Sequence, residues 1–116
     1  MTRIRLALFL AIFTTGSALA GAPTGNINAG KDKAGTVCAA CHGADGSKTL
    51  DGSYPMLAGQ YADYLSKVLH DYKSGKRQNP IMGAQAQALS EQDIADVSAY
   101  FGSLSGQVHD LSSHER

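Results

Sequence analysis

The clearest pattern in the chain is a run of apolar residues at helical spacing between residues 61 and 72. Polar and charged residues occupy the intervening positions, and Ser74 and Gly75 follow the run. Glycine suits the left-handed position after a helix end. The pattern predicts an amphipathic helix that ends at Ser74 and Gly75. Its apolar positions are Tyr61, Tyr64, Leu65, Val68, Leu69 and Tyr72.

Two further helices are indicated on either side of this one. Ser90 and Asp93 have the spacing of a capping box, in which each residue satisfies a backbone N–H of the other. This pair starts a helix with apolar residues at Ile94, Val97, Tyr100, Phe101 and Leu104. Near the start of the chain, a short segment rich in Ala and Lys predicts a helix from about Asn28 to Ala40.

The segments between these helices are expected to be loops. Residues 43–59 contain four glycines and Pro55, and residues 76–89 contain Pro80 and Gly83. No alternating strand pattern occurs, so the predicted fold is all-α with three main helices. A long loop without secondary structure is uncommon in a compact domain unless it is functional. The first loop is therefore expected to wrap around something.

The first twenty residues are predicted to be a signal peptide and not part of the fold. Arg3 and Arg5 precede a short apolar run, and Ala18-Leu19-Ala20 is a typical cleavage pattern. An uncleaved membrane anchor or a buried helix is the alternative, but the run falls short of the ~20 residues that span a bilayer. The predicted order is a signal peptide at 1–20, a flexible leader at 21–26, one domain at 27–105 and a disordered tail at 106–116.

Charge and composition narrow the possible functions. The chain has ten basic and ten acidic residues, and removal of Arg3 and Arg5 leaves eight against ten. A net charge near −2 argues against nucleic acid as a partner. The mature chain has no Trp and few large apolar residues, so its own core is expected to be thin.

The motif Cys38-Ala39-Ala40-Cys41-His42 contains both cysteines of the chain. A thioredoxin-like redox disulfide would require a βαβ context, and a structural zinc site would require four ligands. The remaining reading, C-x-x-C-H, is the attachment motif of c-type haem. It predicts one haem c bound through thioethers at Cys38 and Cys41, with its iron ligated by His42. The haem would also supply the apolar body that the sequence lacks.

A second iron ligand is expected from one of two methionines. Met82 lies beyond the middle helix and is favoured over Met56, which follows His42 too closely to cross to the opposite face of the haem. A thioether ligand opposite His raises the haem potential. Either methionine could instead fill the core.

Two other residues are candidates for the haem environment. A metal-bound His donates its second ring N–H to a fixed acceptor, and the carbonyl of Pro55 is the candidate. Arg77 either pairs with a haem propionate or is simply exposed. His70, His109 and His114 are expected to be solvated.

With these motifs in order, the chain resembles the class I cytochromes c, in particular the bacterial c4, c5 and c553 group. The resemblance covers CAACHGADG at 38–46, YPMLAGQ at 54–60, the stretch at 64–82 and LSEQDIADVSAYF at 89–101. It implies the class I cytochrome c fold around one haem, with the distal ligand at Met82, the loop proline at Pro55 and an arginine at Arg77. It also implies a close crossing of the first and last helices, with Gly35 or Ala34 against Tyr100 or Phe101. Met56 departs from the family pattern.

The expected function is that of a periplasmic, monomeric electron carrier with no catalytic residues of its own. Its partners would be a quinol-oxidising complex or dehydrogenase and a terminal oxidase or reductase. The alternatives are the haem subunit of a specific oxidoreductase complex and, with an open iron site, an enzyme. The small neutral side chains of residues 83–88 are the expected contact with redox partners.

Overall fold

The computed structural model describes residues 21–106; the predicted signal peptide and the tail beyond Gly106 lie outside these residues. Within the described part the fold is all-α, as predicted, and contains no strand. None of its helices is long and apolar enough to cross a membrane. The helices are α1 (Ile27–Val37), α2 (Ala39–His42), α3 (Ala62–Lys73), α4 (Pro80–Gln87) and α5 (Glu91–Ser103).

The first predicted helix is in fact two helices that meet at Cys38. The side chain of Asn26 accepts hydrogen bonds from the backbone N–H groups of Asn28 and Ala29, which starts α1. The carbonyl of Cys38 then accepts from the N–H of Cys41 and of His42. A new short turn therefore begins at Cys38, and the prediction of one continuous helix to Ala40 was wrong.

Helices α3 and α5 lie where the sequence placed them. In α5 the Ser90 hydroxyl accepts from the Asp93 N–H at 3.0 Å, and the Asp93 carboxylate accepts from the Ser90 N–H at 2.9 Å. Gly75 has a φ of +77°, the left-handed conformation expected after α3. Along the apolar stripe of α3, only Leu65 is fully buried.

Helix α4 was not predicted, because the segment 76–89 was expected to be a loop. The Asn79 side chain accepts from the N–H groups of Ile81 and Met82, and Pro80 occupies the first helical position. The helix is short, and Ala86 is its one buried residue. Such a helix leaves no apolar periodicity in the sequence. The burial of Ala86 also removes it from the surface that residues 83–88 were expected to present.

The core forms where α1 crosses α5, with a contribution from α3. Its buried residues are Ala34, Leu65, Val97, Tyr100 and Phe101. Of the two small residues proposed for this crossing, Ala34 was correct, with 1% exposure, and Gly35 was wrong because it is exposed. Gly30, one turn before Ala34 on the same face, lies directly against α5.

Residues preceding α1 are also held against α5. The backbone N–H of Asn26 donates to the carboxylate of Asp96 at 2.7 Å, and the Gln92 side chain donates to the carbonyl of Thr24 at 2.9 Å. The part of the leader next to α1, which the sequence suggested to be flexible, is therefore fastened to the last helix.

Candidate haem site

The short helix α2 brings the cysteines and the histidine of the motif together. Cys38 and Cys41 are free thiols, each partly buried, and His42 is buried with 6% exposure. The carbonyl of Cys38 accepts from the His42 N–H at 3.0 Å, which keeps the three residues within about one helical turn. Two thiols and a buried imidazole thus share one small piece of backbone.

The His42 ring is oriented by the loop that follows it. Its Nδ1 lies 2.8 Å from the carbonyl oxygen of Pro55, the contact expected from the sequence. A carbonyl oxygen can only accept, so Nδ1 carries the proton and donates. In the neutral imidazole this leaves the lone pair on Nε2, which is the form that ligates a metal.

The loop that delivers Pro55 is fixed by backbone contacts. The carbonyl of Gly46 accepts from the N–H groups of Leu57 and Ala58, and the N–H of Gly59 donates to the carbonyl of Phe101 at 2.9 Å. Gly46 has a φ of +71°, and a Cβ there would lie 2.8 Å from the Phe101 ring. As predicted, residues 43–59 contain no helix, yet they are tied to the core.

The thiol of Cys38 packs against the core. The burial of Cys38 beside the core raises the pKa of its thiol to about 11. In the folded chain this thiol is therefore neutral and a poor nucleophile.

The described residues do not form the alternative zinc site. No group of three or more His, Cys, Asp or Glu side chains within residues 21–106 is arranged to hold a metal ion. The cysteines are also not joined to each other, so the disulfide alternative finds no support in this part of the chain.

The two methionines lie in different elements. Met56 is next to Pro55, in the loop that meets His42, and is 45% exposed. Met82 is partly buried in the first turn of α4, where its N–H donates to the Asn79 side chain at 2.9 Å. The structure therefore places Met56 with the His42 loop and Met82 on a separate helix.

Arg77 is exposed but has a defined position. Its guanidinium carbon lies 5.1 Å from the centre of the Tyr72 ring. Hydrogen bonds with Tyr64 and with Tyr72 raise the pKa of Arg77. Both tyrosines belong to the apolar stripe predicted for α3, so the sequence pattern gave no sign of this contact. Arg77 also lines an open groove of about 540 Å³ with α4 residues Gly83 and Gln87.

The fold and the site together define a c-type haem protein of class I. Terminal helices cross, a short Cys-x-x-Cys-His helix follows the first of them, and a backbone carbonyl orients the histidine. The chain belongs to the cytochrome c family, whose model matches residues 27–105.

Similar proteins agree with this assignment. A cytochrome c4 from Pseudomonas aeruginosa is 45% identical over 103 residues, which cover 89% of this chain and 49% of that one. Cytochrome c-554(548) from Halomonas halodenitrificans is 46% identical over 82 residues, covering 68% and 96%. The crystal structure of cytochrome c4 from Pseudomonas stutzeri matches with a TM-score of 0.65 at 38% identity, covering 73% and 48%. The chain thus spans about half the length of the cytochromes c4 that it resembles.

Membership of this family implies one covalently bound haem c with its iron. The donor set fits this group, because Cys38 and Cys41 are free thiols and the Nε2 atom of His42 is left available by the bond from Nδ1. The proximal half of the site is therefore complete in the described residues.

Proposed function

We propose that this protein is a periplasmic monohaem cytochrome that carries single electrons between respiratory partners. The observation that supports this most is the His42–Pro55 contact next to two free cysteines on the same short helix. The bound haem supplies one-electron redox chemistry at its iron.

Each residue of the site has a role in this proposal. Cys38 and Cys41 attach the group, and His42 and Met82 are the two iron ligands. Pro55 fixes the orientation and basicity of His42 through its carbonyl. Arg77, held by Tyr72, provides a guanidinium for a haem propionate. If His42 and Met82 both bound the iron, no coordination position would remain for a substrate.

The cellular setting is part of the same proposal. Residues 1–20 direct export and are removed, and the mature monomer works in the periplasm without insertion into the membrane. Its donor is a quinol-oxidising complex or a dehydrogenase, and its acceptor is a terminal oxidase or reductase.

A second candidate function is that of a haem subunit or dedicated acceptor of one enzyme. A relative from Stutzerimonas stutzeri, 44% identical over 70 residues, is named a thiosulfate dehydrogenase electron acceptor. The native size of the protein in an extract of its own cells distinguishes the two candidates. A free carrier elutes as a monomer, whereas a subunit elutes in a defined complex.

The central test compares the two methionines in the haem-loaded protein. Met82→Ala is expected to abolish the sulfur-to-iron charge-transfer band of the oxidised form and to lower the reduction potential, since a thioether favours ferrous iron. Met56→Ala is the matched control. Its side chain is half-exposed, so band and potential should remain nearly unchanged.

Three results would contradict the proposal. Loss of the band in the Met56 variant alone would mean that Met56, and not Met82, is the iron ligand. A band that survives in both variants would mean that another group fills the sixth position. A mature mass that differs from residues 21–116 plus one haem would refute the attachment or the cleavage site.

A further inference from the structure

Residues 74–88, here called the α4 loop, leave α3 and return to α5, and side chains of α3 close the base of this loop. The Nζ atom of Lys73 donates to the carbonyl of Leu89, sixteen residues later, and lies 3.6 Å from the Glu91 carboxylate. One turn earlier, Nε2 of His70 lies 2.6 Å from Oε2 of Glu91. The enclosed segment contains all of α4, and therefore Met82.

The geometry of His70 favours a charged ring. Its Nδ1 lies 2.7 Å from the carbonyl oxygen of Ser66, and its Nε2 faces the Glu91 carboxylate. These two close partners are acceptors, which favours an N–H on each ring nitrogen, whereas a neutral imidazole carries only one. The Ser66 hydroxyl lies farther away, 3.5 Å from Nδ1. The observed contacts therefore favour the imidazolium form.

The surroundings of His70 support the same protonation state. Hydrogen bonds to Glu91 and to the Ser66 backbone raise the pKa of His70, and the bond from His70 lowers the pKa of Glu91. Desolvation of the ring and the charge of Lys73 act in the opposite direction. On α3, Lys67 pairs with Asp71, and α4 contributes no titratable side chain. Glu91 is thus the carboxylate that controls His70.

We propose that His70 and Lys73 are positioning residues for Met82, which they serve by joining the two ends of the α4 loop. The latch consists of the His70–Glu91 and Lys73–Leu89 contacts. Loss of the proton from His70 removes its positive charge, which weakens the His70–Glu91 contact and loosens the loop. The proposal rests on the proposed function in one respect, namely that Met82 ligates the iron.

The direction of the pH effect follows from linkage. A raised pKa in the folded state means that the stabilisation is complete below the ordinary value of 6.5. It is lost as the pH rises through the folded-state pKa. The α4 loop should therefore open more readily, and release Met82 from iron more often, on the alkaline side of this range.

The experiment uses the haem-loaded protein with His109→Gln and His114→Gln, so that His70 is the one histidine besides the ligand His42. Added imidazole competes with Met82, and its apparent affinity reports the fraction of molecules in which the loop is open. Affinities are measured from about pH 5.5 to about pH 8.5, where a histidine of raised pKa titrates. His70→Lys keeps a positive charge throughout, and His70→Gln never carries one.

The ratio between variants cancels the protonation of imidazole itself. Relative to His70→Lys, the parent is expected to gain about threefold or more in imidazole affinity across this range, as a loosened loop exposes the iron. His70→Gln should show high affinity and no pH step of its own. Lys67→Gln breaks a pair that stays within α3 and should keep the parental profile. NMR should show the His70 ring titrating above 6.5, and Glu91→Gln should lower that midpoint.

The outcomes separate the two proposals. Two results overturn the latch even if the charge-transfer band shows Met82 on the iron. One is a ratio of imidazole affinities, parent to His70→Lys, that does not change with pH. The other is a His70 titration midpoint at or below 6.5 with Glu91 intact. Absence of the band from the parent at every pH instead refutes Met82 ligation, and the positioning role falls with it. A Lys67→Gln profile that resembles His70→Gln would show that any ion pair of α3 has the same effect, and would also overturn the latch.

Discussion

Gly30 of α1 lies directly against the backbone of Asp96 in α5. A Cβ atom at Gly30 would be 2.0 Å from the carbonyl oxygen of Asp96 and 2.8 Å from the Cβ of Tyr100. No real Cβ fits at such distances, and the main atoms that it would meet are backbone atoms that cannot rotate away. The crossing of the terminal helices depends on the absence of a side chain at this position.

Gly30→Ala is expected to destabilise the haem-loaded protein by about 1–3 kcal/mol or more, because α1 and α5 must separate to admit the methyl group. Gly35→Ala is the matched control on the same helix, since nothing lies within 4 Å of a Cβ there. It should stabilise by about 0.5–1 kcal/mol through helix propensity. Urea unfolding measures the change in the free energy of unfolding for each variant. Changes of the same sign in both would contradict the close crossing at Gly30.

Protonation of Asp93 is expected to lower the free energy of unfolding in acid. Hydrogen bonds from the Ser90 backbone and from Lys33 lower the pKa of Asp93 to about 2, below its ordinary 3.8. The stabilisation is present above 3.8 and lost as the pH falls towards 2. Asp93→Asn should destabilise by about 1 kcal/mol at neutral pH, the usual contribution of a cap.

The difference between Asp93→Asn and the parent should shrink as both are unfolded at decreasing pH. Asp32→Asn, an exposed residue of α1, is the control and should change little at any pH. A gap between Asp93→Asn and the parent that remains constant down to about pH 2 would show that the carboxylate charge is not responsible.

Removal of the cofactor should unfold the chain. The buried core is small, and residues 43–61 contribute no regular structure to it. Cys38→Ala with Cys41→Ala prevents attachment and is expected to give a largely unfolded chain by circular dichroism. A cooperative thermal transition in that variant would show that the polypeptide folds without haem.

The exposed surface of α4 should govern the rate of reaction with redox partners. Residues 78–90 carry no charged side chain, and Ala84 and Ala88 are exposed. Ala84→Glu with Ala88→Glu should slow oxidation of the reduced protein by membranes of its own cells by about tenfold, through a lower association rate. Ala29→Glu with Gly35→Glu adds the same charge on α1, which packs against α5, and should have little effect.

Local signals made part of the molecule predictable. The start of α5 depends on side chains three residues apart, Ser90 and Asp93, so the sequence alone located it. The proximal site is equally local, because the motif and Pro55 lie within a stretch of 18 residues, 38–55. Helix α4 has a local signal as well, Asn79-Pro80 at its start. It lacks the apolar periodicity of an amphipathic helix, so it was not predicted.

Other features depend on contacts between distant residues. The face of α1 that meets α5 contains Gly30 and Ala34, and no local pattern separates it from a face that contains Gly35. The contact between His70 and Glu91 joins residues on the polar sides of two helices, where solvation is the usual expectation. Tyr64 and Tyr72 satisfied the apolar period of α3, which concealed their role beside Arg77.

The crossing of α1 and α5 also has a consequence for the order of events during biogenesis. Asn26 and its partner Asp96 are separated by 70 positions, so α1 cannot pack against α5 until nearly the whole domain has been made or transported. Contacts this distant in sequence form late and slowly. Until then Cys38 is not buried, and its thiol retains ordinary reactivity. Because the chain is expected to fold only once haem is attached, both cysteines stay accessible until attachment, and the packing of the last helix follows it.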